Sequence, residues 1–189
     1  MLHLASRSPR RAELLARLGL EFGILDLDVP EVQGASEAAS DYVRRVAREK
    51  AGAGLLKVMA VPAAVVLGAD TEVILDGQVF GKPADAEAAV AMLRRLSGRT
   101  HDVLTAIALV SAGREAQAMA LSKVTVEPLS DAMIARYLDT GEWRGKAGGY
   151  AIQGVFEAHV ERLEGSHSGV MGLPLHETAG LLRGFGALP

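Results

Sequence analysis

Ser6, Ser8, Arg10 and Arg11 follow directly on the apolar run Leu2-His3-Leu4-Ala5 and precede an amphipathic helix, and this grouping could hold an anion. Ser8 suits the N-cap and Pro9 the first helical position, where a missing N–H costs nothing. Leu14, Leu15 and Leu18 give the helix one apolar face, and Gly19 stops it. Free backbone N–H groups, the positive end of the helix dipole, two hydroxyls and the guanidinium groups of Arg7, Arg10 and Arg11 thus converge on one loop. Phosphate is the natural ligand, although a capped helix carrying surface arginines can also bind nothing.

Asp70 is the second chemical candidate. Ala63 to Ala69 is a continuous apolar run that reads as a buried strand, and Asp70-Thr71 stands where that strand meets a turn. α/β sheets present ligand groups at such strand ends. A turn aspartate bonded to nearby backbone is the competing reading. Glu72 to Phe80 reads as a hairpin about Asp76-Gly77, which returns the chain and brings Lys82 to the sheet edge that holds Asp70. Lys50 lies near the far end of a helix starting at about Glu37, where most lysines are solvated. Mg²⁺ or Mn²⁺ would seek carboxylates plus substrate phosphates, so Asp70 and Glu31 are the candidate metal ligands. His101 reads as structural, tying a helix end to the next strand.

Other chemistries are excluded by what is missing. The 189 residues contain no cysteine, so there is no disulfide framework, thiolate nucleophile or zinc-thiolate site, and the cytoplasm is the expected compartment. No paired-histidine spacing suggests zinc, and Gly145-Lys146 and Gly148-Gly149 lack the spacing of a Walker loop. A formal charge of −3 and 4% aromatic residues argue against nucleic acid as a partner. No apolar run approaches a membrane span, and no signal peptide is evident.

These residues need a scaffold, and the chain supplies alternating strand and helix patterns. Beyond the elements above, a strand is expected at Leu20 to Ile24 and a loop from Asp26 to Ser36. A helix with Tyr42, Val43, Val46 and Ala47 on its apolar face follows, and another runs from Asp85 to Leu96. Asp102 to Val110 and Glu115 to Glu127 form an antiparallel pair, and Ser130 caps a further helix. The pattern then predicts a strand from Val155 to Leu163 and a last helix from Leu175 to Leu182. This order predicts a single α/β domain over residues 1–189 with a mixed sheet.

Several segments carry a resemblance. Leu4 to Arg11 (LASRSPRR), Ala47 to Ala51 (AREKA), Gly68 to Thr71 (GADT), Gly81-Lys82-Pro83, Ser97 to His101 (SGRTH), Lys146 to Gly154 (KAGGYAIQG) and Gly172 to Leu175 (GLPL) occur in the order found in the Maf family of nucleoside triphosphate pyrophosphatases, and the chain resembles that family over nearly its whole length. The resemblance implies an inosine triphosphate pyrophosphatase-like (Maf/Ham1) fold, with two lobes around a central cleft. It implies a divalent cation and hydrolysis of a nucleoside triphosphate to monophosphate and pyrophosphate. Ser6, Ser8, Arg10, Arg11, Lys50 and Lys82 would hold the phosphates, and Asp70 would accept a proton. Arg10, Thr71 and Gln153 match the positions that mark the branch acting on dTTP and UTP, with modified pyrimidine nucleotides left open. A homodimer is also implied. The family's link to septum formation supplies the alternative, a nucleotide-binding regulator without turnover. Arg7 departs from the small residue usual at its position, and Glu164 to Met171 matches loosely.

Overall fold

The computed structural model describes residues 1–188. Its elements in chain order are β1 (Leu2–Leu4), α1 (Pro9–Ala16), β2 (Phe22–Ile24), α2 (Ala39–Lys57), β3 (Val65–Leu75), β4 (Gln78–Phe80), α3 (Ala86–Leu96), β5 (Thr100–Ser111), β6 (Arg114–Val126), α4 (Asp131–Asp139), β7 (Val160–Glu164), α5 (His167–Met171) and α6 (Leu175–Gly184), with 3₁₀ turns at Ala147–Gly149 and Val155–His159. The strands form one seven-stranded sheet in the order β2-β1-β3-β5-β6-β7, with β4 also on β3. β1 runs parallel to β2 and β3, and the remaining pairs are antiparallel, so the sheet is mixed as expected.

Alternation along β3 divides the core. Leu67, Ala69, Val73 and Leu75 join the larger apolar cluster with α1, α3 and α6, while Val66 packs with the α2 residues Tyr42, Val43, Val46 and Ala47 on the other face. A Cβ at Gly68 would collide with the Ala47 carbonyl oxygen and the Ala51 amide nitrogen, so only glycine lets α2 lie this close to β3. That approach sets Lys50 of α2 against Asp70.

The pairing of β3 is uneven, and the unevenness makes the site. β5 follows one edge of β3 from Val65 to Ile74. On the opposite edge, β1 pairs only Val65 to Leu67 and β4 only Val73 to Leu75. The stretch Gly68 to Glu72 therefore has no strand partner on that edge among the described residues, and the sheet carries a notch there.

Three expectations are corrected. β3 does not end at Asp70: it continues to Leu75, because β5 extends the ladder through Thr71 and Glu72, whose polar side chains mimic a turn in sequence. Residues 155–159 form a 3₁₀ turn, with the strand confined to Val160–Glu164, because Phe156 buries its ring against Tyr137 and Tyr150. The helix expected from Glu37 begins at Ala39 and runs to Lys57, so Lys50 sits about two turns before its end.

Candidate active site

A cleft of about 700 Å³ opens at the notch. Residues 5–11 and the loop before α2 form one wall, residues 144–147 and 150–153 form the other, and Asp70, Thr71 and Val73 of β3 lie at the base. The junction between β1 and α1 has the cap and helix start that the sequence predicts. Ser8 is the N-cap of α1, its Oγ accepting from the Arg11 amide at 3.4 Å, and Pro9 occupies the first helical turn. Ser6 Oγ accepts from the Ser8 amide at 3.1 Å, which tightens the turn between strand and helix. Arg7 is exposed at the rim and pairs with Asp26 at 3.3 Å, so the extra side chain points outward from the loop.

Arg11 is a strut as well as a cation. Its Nε donates to Gly172 O at 2.8 Å, and its terminal nitrogens reach Ser6 Oγ at 3.4 Å and Thr71 Oγ1 at 3.2 Å. Burial draws its pKa down, against the opposing pull of Asp70, Glu31 and Glu72. Burial lowers Arg10 too, with the neighbouring Arg11 charge adding to the effect. Arg10 Nε lies 3.4 Å from Met171 O. Two positive groups are thus held partly dry and close together.

Beneath them, charges alternate along a chain. Lys50 Nζ lies 2.7 Å from Asp70 Oδ1 and 2.6 Å from Glu31 Oε1, and Lys82 Nζ bonds the other Glu31 oxygen. Glu31 therefore links two lysines that are 32 residues apart in sequence (82 − 50). Burial alone would raise its pKa, but hydrogen bonds from Lys50 and Lys82, together with their charges, hold it down at about 2. Asp70 is buried to 2% exposure, and its Oδ2 has no hydrogen-bond partner. Glu72, two residues on and on the same strand face, is also buried, with Oε2 likewise unpartnered. Burial and then the charge of Asp70 push Glu72 up to about 8, with Lys82 opposing.

Thr71 points to the other face and joins a directed chain. Thr105 Oγ1 donates to Gly169 O at 2.8 Å, so its contact with Thr71 Oγ1 at 2.9 Å must be one it accepts. Thr71 therefore spends its proton on Thr105 and accepts from Arg11. The far wall is pinned from below. Gly148 has φ +70°, and a Cβ there would lie 2.9 Å from Val73 Cγ2. Tyr150 Oη lies 2.7 Å from His101 Nε2, and the Ala151 amide donates to Tyr137 Oη at 3.0 Å. His101 is structural, as expected, but the partner it secures is this wall and not the preceding helix. Burial lowers its pKa to about 4, against a small opposing effect of Asp102.

The structure brings Ser6, Ser8, Arg10, Arg11, Glu31, Lys50, Asp70, Thr71, Lys82 and Gln153 to one cleft. Gln153 stands exposed on the far wall. Sequence reasoning did not single out Arg144 and Lys146, which also line the cleft, or Glu72 and Thr105, which are buried beside Asp70 and Thr71. Lys146 lies within a segment already singled out, and Glu72 keeps the face of Asp70 once the strand is extended. Thr105 and Arg144 had no local signal. Among the described residues no cluster of three or more His, Cys, Asp or Glu side chains is arranged to hold a metal, and no helix is long and apolar enough to cross a membrane.

Fold and site together define a mixed α/β protein whose cleft sets a cationic helix terminus over a buried carboxylate, a combination suited to a small polyphosphate. The chain belongs to the Maf family: its family model, described as "Maf-like protein", matches residues 1–185. A dTTP/UTP pyrophosphatase of Xanthomonas euvesicatoria pv. vesicatoria (strain 85-10) is 60% identical over 189 residues, covering 99% of this chain and 100% of its own. A nucleoside triphosphate pyrophosphatase of Xylella fastidiosa (strain 9a5c) is 59% identical over 186 residues, 98% of each chain. Among solved structures, the Ham1 protein of Staphylococcus aureus is similar over 66% of this chain and 71% of its own, at 14% identity and a TM-score of 0.43.

Proposed function

We propose that this protein hydrolyses dTTP and UTP to the monophosphate and pyrophosphate with the help of Mg²⁺ or Mn²⁺. The observation that carries the reading is the buried Asp70–Lys50 pair at the open notch of β3, facing the cationic N-terminus of α1. The dTTP/UTP pyrophosphatase at 60% identity supports the choice of substrate.

The triphosphate tail would lie against the α1 terminus, the hydroxyls of Ser6 and Ser8, and Arg10. Lys50 and Lys82 each have three N–H donors, so beyond their carboxylate partners Lys50 keeps one and Lys82 two for phosphate oxygens. At 4 Å and an effective dielectric near 20, each cation–phosphate pair gains roughly 4 kcal/mol before desolvation is subtracted. The anhydride bond between the α and β phosphorus is the one to break. Water supplies the new P–O bond, pyrophosphate carries away the electron pair, and the Asp70 carboxylate takes the water's proton. Lys50 keeps that carboxylate from rotating by holding Oδ1. A divalent cation would be held by the carboxylate of Asp70, whose Oδ2 is buried with no hydrogen-bond partner among the described residues, and would neutralise charge on the leaving pyrophosphate. Glu31 already has each oxygen on a lysine, so its part in this geometry is to fix Lys50 and Lys82.

Incubating the protein with dTTP or UTP and either cation, then identifying the products, tests this reading. Monophosphate plus pyrophosphate is expected. Diphosphate plus orthophosphate would overturn it, and saturable binding with the nucleotide left intact would favour a regulator.

A further inference from the structure

We infer that Glu72, paired with Asp70, forms the protein half of a divalent-cation site, the cation bridging Glu72 Oε2 and Asp70 Oδ2 and filling its shell with water and phosphate oxygens. The phosphate part of that shell rests on the proposed nucleotide substrate, whereas the protein part does not.

Placement comes first. Asp70 and Glu72 are two residues apart on β3, so their side chains leave the same face about 7 Å apart at the backbone. Carboxyl groups on stems of different length can close that gap. Both side chains are at least nine-tenths buried, at 2% and 5% exposure, and each has one carboxylate oxygen without a hydrogen-bond partner. Buried polar atoms are rarely left so, and two adjacent ones ask for a shared partner.

The groups around them are otherwise committed. From α2, Lys50 holds Asp70 Oδ1 and Glu31 Oε1; from the segment after β4, Lys82 holds the other Glu31 oxygen. Tyr42 of α2 is buried on the same side of the sheet, and its neutral phenol brings no positive charge. The two orphaned oxygens therefore belong to Asp70 and Glu72, which makes Glu72 and not Glu31 the second ligand.

Coordination chemistry agrees. Mg²⁺ and Mn²⁺ prefer oxygen donors, and Mg²⁺ is commonly held by one or two carboxylates plus substrate phosphates rather than by an all-protein cage. Asp70, which lines the proposed phosphate-binding cleft, and Glu72, the next residue on the same face of β3, supply two such carboxylates.

The test uses Mn²⁺ alone with the nucleotide-free protein, followed by titration calorimetry and by the loss of the free-ion electron paramagnetic resonance signal. Wild type is expected to take up Mn²⁺ at millimolar concentration or below. Glu72→Gln, nearly equal in volume, should weaken uptake by at least about tenfold, whereas Glu31→Gln should change it by no more than about threefold. Circular dichroism and thermal melts verify that each variant folds, and Glu72→Asp, keeping the charge on a shorter stem, should restore part of the affinity. Unchanged Mn²⁺ affinity in Glu72→Gln, an equal loss in Glu31→Gln, or no uptake by wild type would overturn the inference. Product identification on the same preparations separates the two readings. Uptake that depends on Glu72 alongside UDP release keeps the cation site and removes the pyrophosphatase, and UMP release with Glu72-independent uptake does the reverse.

Discussion

Replacing Lys50 by Met removes one charge and keeps most of the stem, which makes it the sharpest probe of the notch. Lys50 lies 2.7 Å from Asp70 and 2.6 Å from Glu31, and all three side chains are less than a third exposed. At an effective dielectric near 20, each contact is worth roughly 6 kcal/mol of attraction before desolvation. Glu31 keeps Lys82 and can relax toward it, but Asp70 has no second cation in hydrogen-bond contact among the described residues. Removing one partner of a buried pair costs about 3–5 kcal/mol, because the other charge stays buried and uncompensated. Urea unfolding should show a loss of that size. Adding Asp70→Asn should then recover about 2 kcal/mol or more, since it removes the stranded charge. Strictly additive losses, or a loss below about 1 kcal/mol for Lys50→Met, would show that solvent screens the pair and that the notch is wetter than its burial indicates.

Asp70→Asn alone should keep the fold while UTP turnover falls on the order of 10² to 10⁴, read from pyrophosphate release; a variant with half the wild-type rate would make Asp70 a structural residue. Gln153→Glu should lower kcat/KM for UTP roughly ten- to a hundredfold, because a carboxylate would face the carbonyl oxygens of uracil in place of an amide donor; an unchanged ranking of UTP, dTTP and CTP would place base selection elsewhere. His101 titrates near 4 when folded and near 6.5 when unfolded, so the unfolded chain binds the extra proton first as pH falls. Its contribution to stability is complete above about pH 6.5 and is lost down to about pH 4, a change of about 3 kcal/mol that His101→Phe should remove from the pH profile of urea midpoints.

Local chemistry was legible where it depended on near neighbours. Ser8, Pro9 and the leucines after them specify a capped amphipathic helix within a dozen residues, so the strand-to-helix junction carrying Ser6, Arg10 and Arg11 could be read from the chain alone. The hairpin at Asp76-Gly77 was equally local, with both residues at positive φ, and it brought Lys82 back toward Asp70. Asp70 reaches the cleft for a reason other than the one its sequence suggests. It is not at a strand end but in the middle of a long strand, and it lines the cleft because β1 and β4 are too short to meet along β3.

No property of residues 68–72 announces that gap, since it is set by where other strands stop. The Glu31 bridge between two lysines, the Arg11–Thr71–Thr105 proton direction and the orphaned oxygen of Glu72 likewise arise from segments far apart in sequence. Helix caps and turns are decided by a few consecutive residues, whose dihedral and hydrogen-bond preferences the chain carries with it. Burial, pairing and proton affinity are decided by what packs alongside, and only the folded sheet supplies those neighbours.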